Sequence, residues 1–528
     1  MKHIYRLVLA IALSVATLQA SETLPPLIAA VKRGDHATVQ ALLRLPAAAS
    51  AKAGDRAEVN RPQADGTTAL HWAVQSNDGE LVDLLLRAGA DVKAANRYGI
   101  SPITLAATNG SAAIVGALLK AGADPNTTTE GGEPVLLTAA RSGSVEAVMR
   151  LIAAGAKVDA RESWFGETAL MWAAAENHAD VVRALVEAGA DINARSTVLD
   201  PPVLEFPRSG GPNSPFPRGG WTALMYAARQ GAIDAARVLV DLRADVNAVA
   251  LPQTDVPLKP EDHDAFAHGV GTTALVYAII NTHYDLAAML LEHGADPNIA
   301  DIAGMGALYA AVDMSSLQWT QGRPAPILSD HLDGADLVKL LLAKGAKPNT
   351  RLTRAPLKRH HDAGTTLNFA AGTTPLMRAA RTNDVAVMRM LLDAGADPFA
   401  TLPDGTTTLM IAAGLGYGGL RGEGIRIVVP TEDGAVEAVT LLLERGVDVN
   451  AQNAAGNTAL HGAVGRGDKV VKFLASQGAY LEARNNAGFT PLDLANGAGG
   501  RGGRPGTVRE STAALLRQLI AESNTSSH

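Results

Sequence analysis

One stretch, Asp65-Gly-Thr-Thr-Ala-Leu-His-Trp-Ala-Val-Gln-Ser-Asn-Asp-Gly-Glu-Leu-Val-Asp-Leu-Leu-Leu-Arg-Ala-Gly-Ala-Asp-Val92, recurs in weakened form down most of this chain. Its Leu70 returns as Ile103, Leu136, Leu170, Leu224, Leu275, Leu308, Leu376, Leu409, Leu460 and Leu492. Its Gly89-Ala90 returns with Gly122, Gly155, Gly189, Gly294, Gly345, Gly395 and Gly478. The basic step is about 33 residues, the size of one supersecondary unit.

Each unit has its own physics. Thr68 before an apolar run is an N-cap signal, because its hydroxyl can satisfy an orphan N–H. Ala69, Leu70, Ala73 and Val74 share one helical face, so a short first helix is expected. Asn77-Asp78-Gly79 breaks it. Leu81, Leu84, Leu85 and Ala88 then make a second apolar stripe, and Gly89 supplies the left-handed residue that ends it. Ala90 to Lys93 are expected to be short and extended. Two short helices cannot bury their apolar faces alone, whereas stacked copies can.

Thr68-Ala69-Leu70-His71, Thr168-Ala169-Leu170, Thr374-Pro375-Leu376 and Thr490-Pro491-Leu492 resemble the ankyrin repeat family. So do Gly89-Ala90-Asp91, Ala295-Asp296-Pro297-Asn298 and Asp448-Val449-Asn450-Ala451. The resemblance covers residues 25–522 and implies an all-α repeat solenoid of about twelve stacked units. It implies binding of a protein partner by hairpin tips and inner helices, not an enzyme. Carried over position by position, it puts turn-tip contacts at Arg97, Tyr98, Trp164, Phe165, Asn457 and Phe489. First-helix-end contacts fall at Asn109, Arg229, Arg381 and Arg466. Trp164 and Phe165 sit in a turn, where exposed aromatics anchor interfaces. Trp72, Trp172, Tyr226 and Tyr277 share a column two residues after the Leu column and are expected to pack on the following repeat.

The chain divides accordingly. Lys2, His3 and Arg6, the apolar run Leu7 to Leu18 and the small Ala20 read as a signal peptide over 1–20, so an exported, periplasmic or secreted protein is expected. Residues 24–64 read as an N-terminal capping repeat, with Leu27, Ile28, Ala30 and Val31 in its first helix and Val39, Leu42 and Leu43 in its second. Regular repeats run over 65–194, a Pro- and Gly-rich insertion over 195–220, repeats with long insertions over 219–485, and a C-terminal capping repeat and tail over 486–528. The last helix is expected at Ser511–Ala521. Insertions at 195–220, 249–270 and 350–372 fall after second helices, on the hairpin side. Those at 313–334 and 414–434 fall between the two helices of a unit. Long loops on a rigid scaffold commonly carry function.

Composition narrows the chemistry. No cysteine is present, which removes disulfides, thiolate nucleophiles and Cys-held zinc or iron–sulfur clusters. Net charge is −7 with no basic stripe, which argues against nucleic acid. No second long apolar run follows the leader, so no membrane insertion of the mature chain is expected, and a monomer is. No cofactor or metal is expected. Gly414 to Gly419 and Gly497 to Gly502 match a dinucleotide-type glycine pattern, but each follows a first helix rather than a strand. His263, His268, His360 and His361 stand in inserted loops without compact metal-motif spacing. A metal or enzymatic site built by those loops is the alternative reading. His71 and His461, at the Thr-x-x-His position, are expected to bond within their repeats. The 249–270 loop carries net charge −3 and the 350–372 loop +3, which suits two-signed steering of a partner.

Overall fold

The computed structural model describes residues 24–43, 58–197, 219–250, 271–315, 330–353, 371–416, 431–499 and 506–525. The chain forms two units, Met1–Trp164 and Phe165–His528. In the first unit, α1 (Pro26–Lys32) pairs with α2 (His36–Leu43), and α3 (Ala69–Gln75) with α4 (Gly79–Arg87). α5 (Pro102–Thr108) pairs with α6 (Ala112–Lys120), and α7 (Val135–Ser142) with α8 (Val145–Ala153).

The second unit holds α9 (Ala169–Ala175) with α10 (Ala179–Glu187), α11 (Ala223–Gln230) with α12 (Ile233–Asp241), and α13 (Ala274–Ile280) with α14 (Tyr284–Glu292). Next come α15 (Ala307–Ser315) with α16 (Gly334–Ala343), and α17 (Pro375–Thr382) with α18 (Val385–Asp393). The last pairs are α19 (Thr408–Ala412) with α20 (Glu432–Leu443), α21 (Ala459–Ala463) with α22 (Asp468–Ser476), and α23 (Pro491–Ala495) with α24 (Glu510–Thr525). The described residues thus make twelve helix pairs, the all-α repeat solenoid that stacking requires.

Within each unit, first helices pack on first helices and second helices on second helices. The Leu column makes the seam. From Leu70 to Leu460 every member is at most 2% exposed. Leu492 departs from this and is half-buried, since no further first helix among the described residues covers α23.

Local chemistry sets the boundaries. Thr168, Thr273, Thr374 and Thr407 each accept the N–H three residues on, at 3.2–3.4 Å, and so start α9, α13, α17 and α19. Pro102, Pro375 and Pro491 occupy first helical positions, where a missing N–H costs nothing. Gly89 ends α4 with φ of +86°, a conformation that disfavours any residue with a Cβ.

Four expectations shift. Val92 and Lys93 turn rather than extend, because Asp91 Oδ1 accepts the Lys93 N–H at 2.9 Å. The break after α3 falls at Ser76 and Asn77; Asp78 caps α4 by accepting the Leu81 N–H at 3.0 Å, and Gly79 is already helical. Leu42 is 42% exposed, leaving Val39 as the buried residue of α2. The last helix runs over Glu510–Thr525, longer at both ends than expected.

Three insertions leave the scaffold at one equivalent place. In an uninterrupted hairpin the Asn96 N–H bonds the Ile100 carbonyl at 3.0 Å. The same closure joins Ser196 to Trp221 (2.9 Å), Ala250 to Thr272 (2.9 Å) and Leu352 to Thr373 (3.0 Å). The hairpin base is therefore kept and only the tip is lengthened. Two further insertions separate α15 from α16 and α19 from α20.

Candidate functional site

In the first unit the hairpin tips are tied to one another by hydrogen bonds to backbone carbonyls. The Arg97 N–H bonds the Asp65 carbonyl at 2.8 Å, and the Ser163 hydroxyl donates to the Gly131 carbonyl at 2.6 Å. Asn96 Oδ1 accepts the N–H groups of Tyr98 and Ile100, both at 3.0 Å, which fixes the tip at 97–99. Tyr98 is left 40% exposed, with the Arg97 guanidinium over its ring at 4.8 Å. Glu162 accepts the Trp164 N–H at 2.6 Å, and Trp164 is 67% exposed. Phe165 opens the second unit and is also exposed. Asn109 donates to the Val74 carbonyl at 2.8 Å and so staples two first-helix ends together.

In the second unit the structure brings Arg229 to a cluster that the repeat pattern does not announce. Trp221 stands just before the capping Thr222, where Thr67, Thr272 and Thr373 stand in other repeats. Its ring meets Tyr277 at 4.8 Å and Tyr226 at 5.3 Å between centroids. The Arg229 guanidinium lies over Trp221 at 5.1 Å. The Tyr226 hydroxyl donates to Glu167 at 2.6 Å. Burial first, and the Glu167 charge second, drive its pKa above the ordinary tyrosine range; burial does the same at Tyr277. The residue before the first-helix cap varies from repeat to repeat, so the sequence pattern carried no signal for this cluster beyond the size of Trp221 itself.

Three of the four column aromatics make contacts behind them, toward the preceding hairpin base, and not only with the following repeat as expected. Tyr226 and Tyr277 reach Glu167 and Trp221 of the preceding repeat. Trp72 donates to Gln63 at 3.3 Å and lies beneath Lys32 Nζ at 3.8 Å. Helical side chains lean toward their own N-terminus, and here that direction leads back to the hairpin base.

Four other named residues are engaged in the scaffold. Arg381 is 6% exposed and donates to the carbonyls of Leu415 (3.1 Å) and Gly416 (2.8 Å). Arg466 donates to the Arg381 carbonyl at 2.9 Å, so the two arginines lash together the ends of α17, α19 and α21. The Asn457 N–H bonds Asn453 Oδ1, and its side-chain oxygen accepts from Asn485. Phe489 is half-buried and gives its carbonyl to His461.

His71 and His461 are repeat-internal. His71 Nδ1 accepts the Thr68 N–H at 3.2 Å and lies 2.8 Å from the Thr68 hydroxyl, while Nε2 meets the Ile100 carbonyl at 3.0 Å. His461 repeats this with Thr458 and Phe489. Nδ1 is an acceptor in both, so Nε2 carries the proton and the ring is neutral. Burial holds both below the usual histidine range. His263, His268, His360 and His361 lie outside the described residues. Among the described residues no group of histidines and carboxylates is placed to hold a metal ion, and no helix is long and apolar enough to cross a membrane. The two glycine-rich runs begin after the first helices α19 and α23.

Family models described as ankyrin repeats in three copies match residues 7–96, 103–196, 328–421 and 427–501, and one described as ankyrin repeats in many copies matches 170–240 and 275–319. The chain is 29% identical over 178 residues to E3 ubiquitin-protein ligase KEG of Arabidopsis thaliana, covering 32% of this chain and 9% of the ligase. It is 34% identical over 125 residues to Alpha-latroinsectotoxin-Lt1a of Latrodectus tredecimguttatus, covering 23% of this chain and 7% of the toxin. It is 35% identical over 95 residues to the human Notch-regulated ankyrin repeat-containing protein, covering 18% of this chain and 78% of that protein. The ligase and the toxin are thus matched over less than a tenth of their length. Twelve stacked helix pairs, Thr-capped first helices, glycine-ended second helices and matches over most of its length make this chain a member of the ankyrin-repeat family, whose repeats are protein-interaction scaffolds.

Proposed function

We propose that this protein is a non-enzymatic, monomeric scaffold that acts outside the cytoplasm and holds a protein partner against its hairpin tips, first helices and inserted segments. The observation that carries the reading is the placement of Tyr98 and Trp164. Both are large aromatics at ordered tips, 40% and 67% exposed, and a fold gains nothing from leaving them there. Trp, Tyr and Arg are the residues that dominate binding energy at interfaces. The kept hairpin bases support the rest of the reading, since the closures at Ser196, Ala250 and Leu352 hold the two ends of each inserted segment on the scaffold.

Affinity capture with the full chain tests this. A protein retained from the exported fraction is expected to bind at least about tenfold more weakly to the Trp164→Ala chain, with unchanged circular dichroism. Equal retention would assign recognition to another surface. Replacing 197–217 and 351–370 by Gly-Ser links is expected to abolish capture and leave the helices intact; a folded double deletion that still captures the partner would make those segments passive. Export is tested by N-terminal sequencing, with a mature start near Ser21 expected. An intact Met1 in the cytoplasmic fraction would exclude it.

A further inference from the structure

The cluster around Trp221 is specific enough to say what kind of segment it receives. Trp221 stands at the hairpin base, a place held elsewhere by residues as different as Thr272, Thr373, Ile100, Glu167 and Phe489. Of these, Thr272 and Thr373 are 1% exposed, whereas Trp221 is half-exposed and lies across the first helices of two repeats. Tyr226 and Tyr277 make the floor beside it. Arg229, the last basic residue of α11, is exposed and lies over the Trp221 ring.

The floor carries charge of both signs, Arg229 and Glu167 both acting on Tyr226, but the two are not joined in an ion pair. Among the described residues no carboxylate pairs with Arg229. Glu167, the carboxylate joined to the cluster, accepts the Tyr226 hydroxyl. His283 faces the end of α11 from the next repeat; a Cβ on Gly231 would lie 2.6 Å from its ring. Burial lowers the His283 pKa, so its ring is neutral near pH 7, and it bonds the Arg229 backbone. An exposed cation–π contact is worth only about 0.5–1 kcal/mol. It leaves the guanidinium's donor fork free to take a carboxylate, the group that fork fits. The backbone beneath is held by two repeats, so little ordering is needed on binding.

We propose that the face formed by Trp221, Tyr226 and Arg229, backed by the buried Tyr277, receives an acidic segment of a partner protein, a carboxylate on Arg229 beside an aromatic or aliphatic side chain on the Trp221 ring. This deepens the protein-binding reading above and rests on it. A basic segment is repelled by Arg229. A nucleic-acid strand needs several exposed cations in file, and this chain is net −7; beside Arg229, Arg195 is taken up by the Gly220 and Val249 carbonyls.

Fluorescence anisotropy on the full chain tests the assignment. The probes are a labelled peptide Gly-Asp-Glu-Phe-Asp-Leu-Glu-Gly, its Asn/Gln analogue, its Lys analogue and oligothymidylate. The acidic peptide is expected to bind saturably, at least about tenfold tighter than the other three, and to weaken with salt. Arg229→Glu is expected to lose the acidic peptide and gain the Lys analogue, Arg229→Lys to retain most binding, and Trp221→Ala to lose about tenfold while Trp221→Phe loses less. Gain of the Lys analogue cannot come from misfolding. Equal binding of acidic and neutral peptides, indifference to Arg229→Glu, or preference for oligothymidylate would overturn the proposal. So would peptide binding that requires Asp255, Glu261, Asp262 and Asp264 to be changed to Asn or Gln, which would make the chain's own acidic stretch the occupant. A native partner captured equally by the native and Arg229→Glu chains overturns this site and leaves the scaffold reading standing; a native chain that captures no protein overturns the scaffold reading and the partner class with it.

Discussion

At His71 the imidazole does the work that a Glu or Gln does in an ordinary capping box. Its Nδ1 takes the Thr68 N–H of its own helix start, and its Nε2–H reaches Ile100 of the next repeat. Protonating Nδ1 would break the first bond. Burial sets the folded pKa of His71 and His461 below the ordinary 6.5, so between the two values the unfolded chain binds more protons. Their contribution is complete above pH 6.5 and is lost as pH falls through the folded values. His283 has the same sign, and His331, raised by its bond to Asp285, the opposite one. Urea midpoints are expected to fall between pH 7 and pH 5. The His71→Gln/His461→Gln chain, which keeps the box without a titrating ring, is expected to fall less steeply. An unchanged slope would place the acid sensitivity elsewhere.

At the scale of the element, the turn after five of the second helices is clamped to the next by one asparagine. Asn298 donates to the Gly345 carbonyl at 3.0 Å and accepts the Lys347 N–H at 2.9 Å. Asn126, Asn247, Asn349 and Asn450 do the same for their neighbours. At the equivalent place after α18 stands Phe399, 59% exposed, whose side chain can make neither bond. Asn298→Ala is expected to cost roughly 1–2 kcal/mol, two modest hydrogen bonds at a wet edge. Phe399→Asn is expected to gain up to about 1 kcal/mol by completing the clamp. Chemical denaturation measures both, and a destabilised Phe399→Asn chain would mean that the ring is packed for stability.

For the whole molecule, the consequence of stacking is that damage stays local. Leu170 is 2% exposed in α9, at the start of the second unit. Leu170→Ala is expected to cost roughly 2–5 kcal/mol from lost transfer energy and the cavity left behind. Helices of that unit pack on those of adjacent pairs, so hydrogen-exchange protection should fall first in α9 to α12 and persist in α19 to α24. Uniform loss across the unit would show one cooperative block, and a shift below roughly half a kilocalorie would contradict burial at this seam.

The repeat length, the Leu column, the capping threonines and Gly89 determined the fold in advance, because each acts within a few residues of itself and the copies are in register. Helix count, the starts of the Thr-capped first helices and the roots of the inserted segments followed from them. The tertiary structure alone decided which polar and aromatic side chains are used up by the scaffold. Arg381, Arg466, Asn109 and Asn457 reach carbonyls or amides of neighbouring repeats, and Trp221 gathers Tyr226, Tyr277 and Arg229. Whether a long side chain meets water or a neighbour's carbonyl depends on the offset between adjacent copies. That distance is set by the packing of all the apolar seams together, and no window of one repeat contains it.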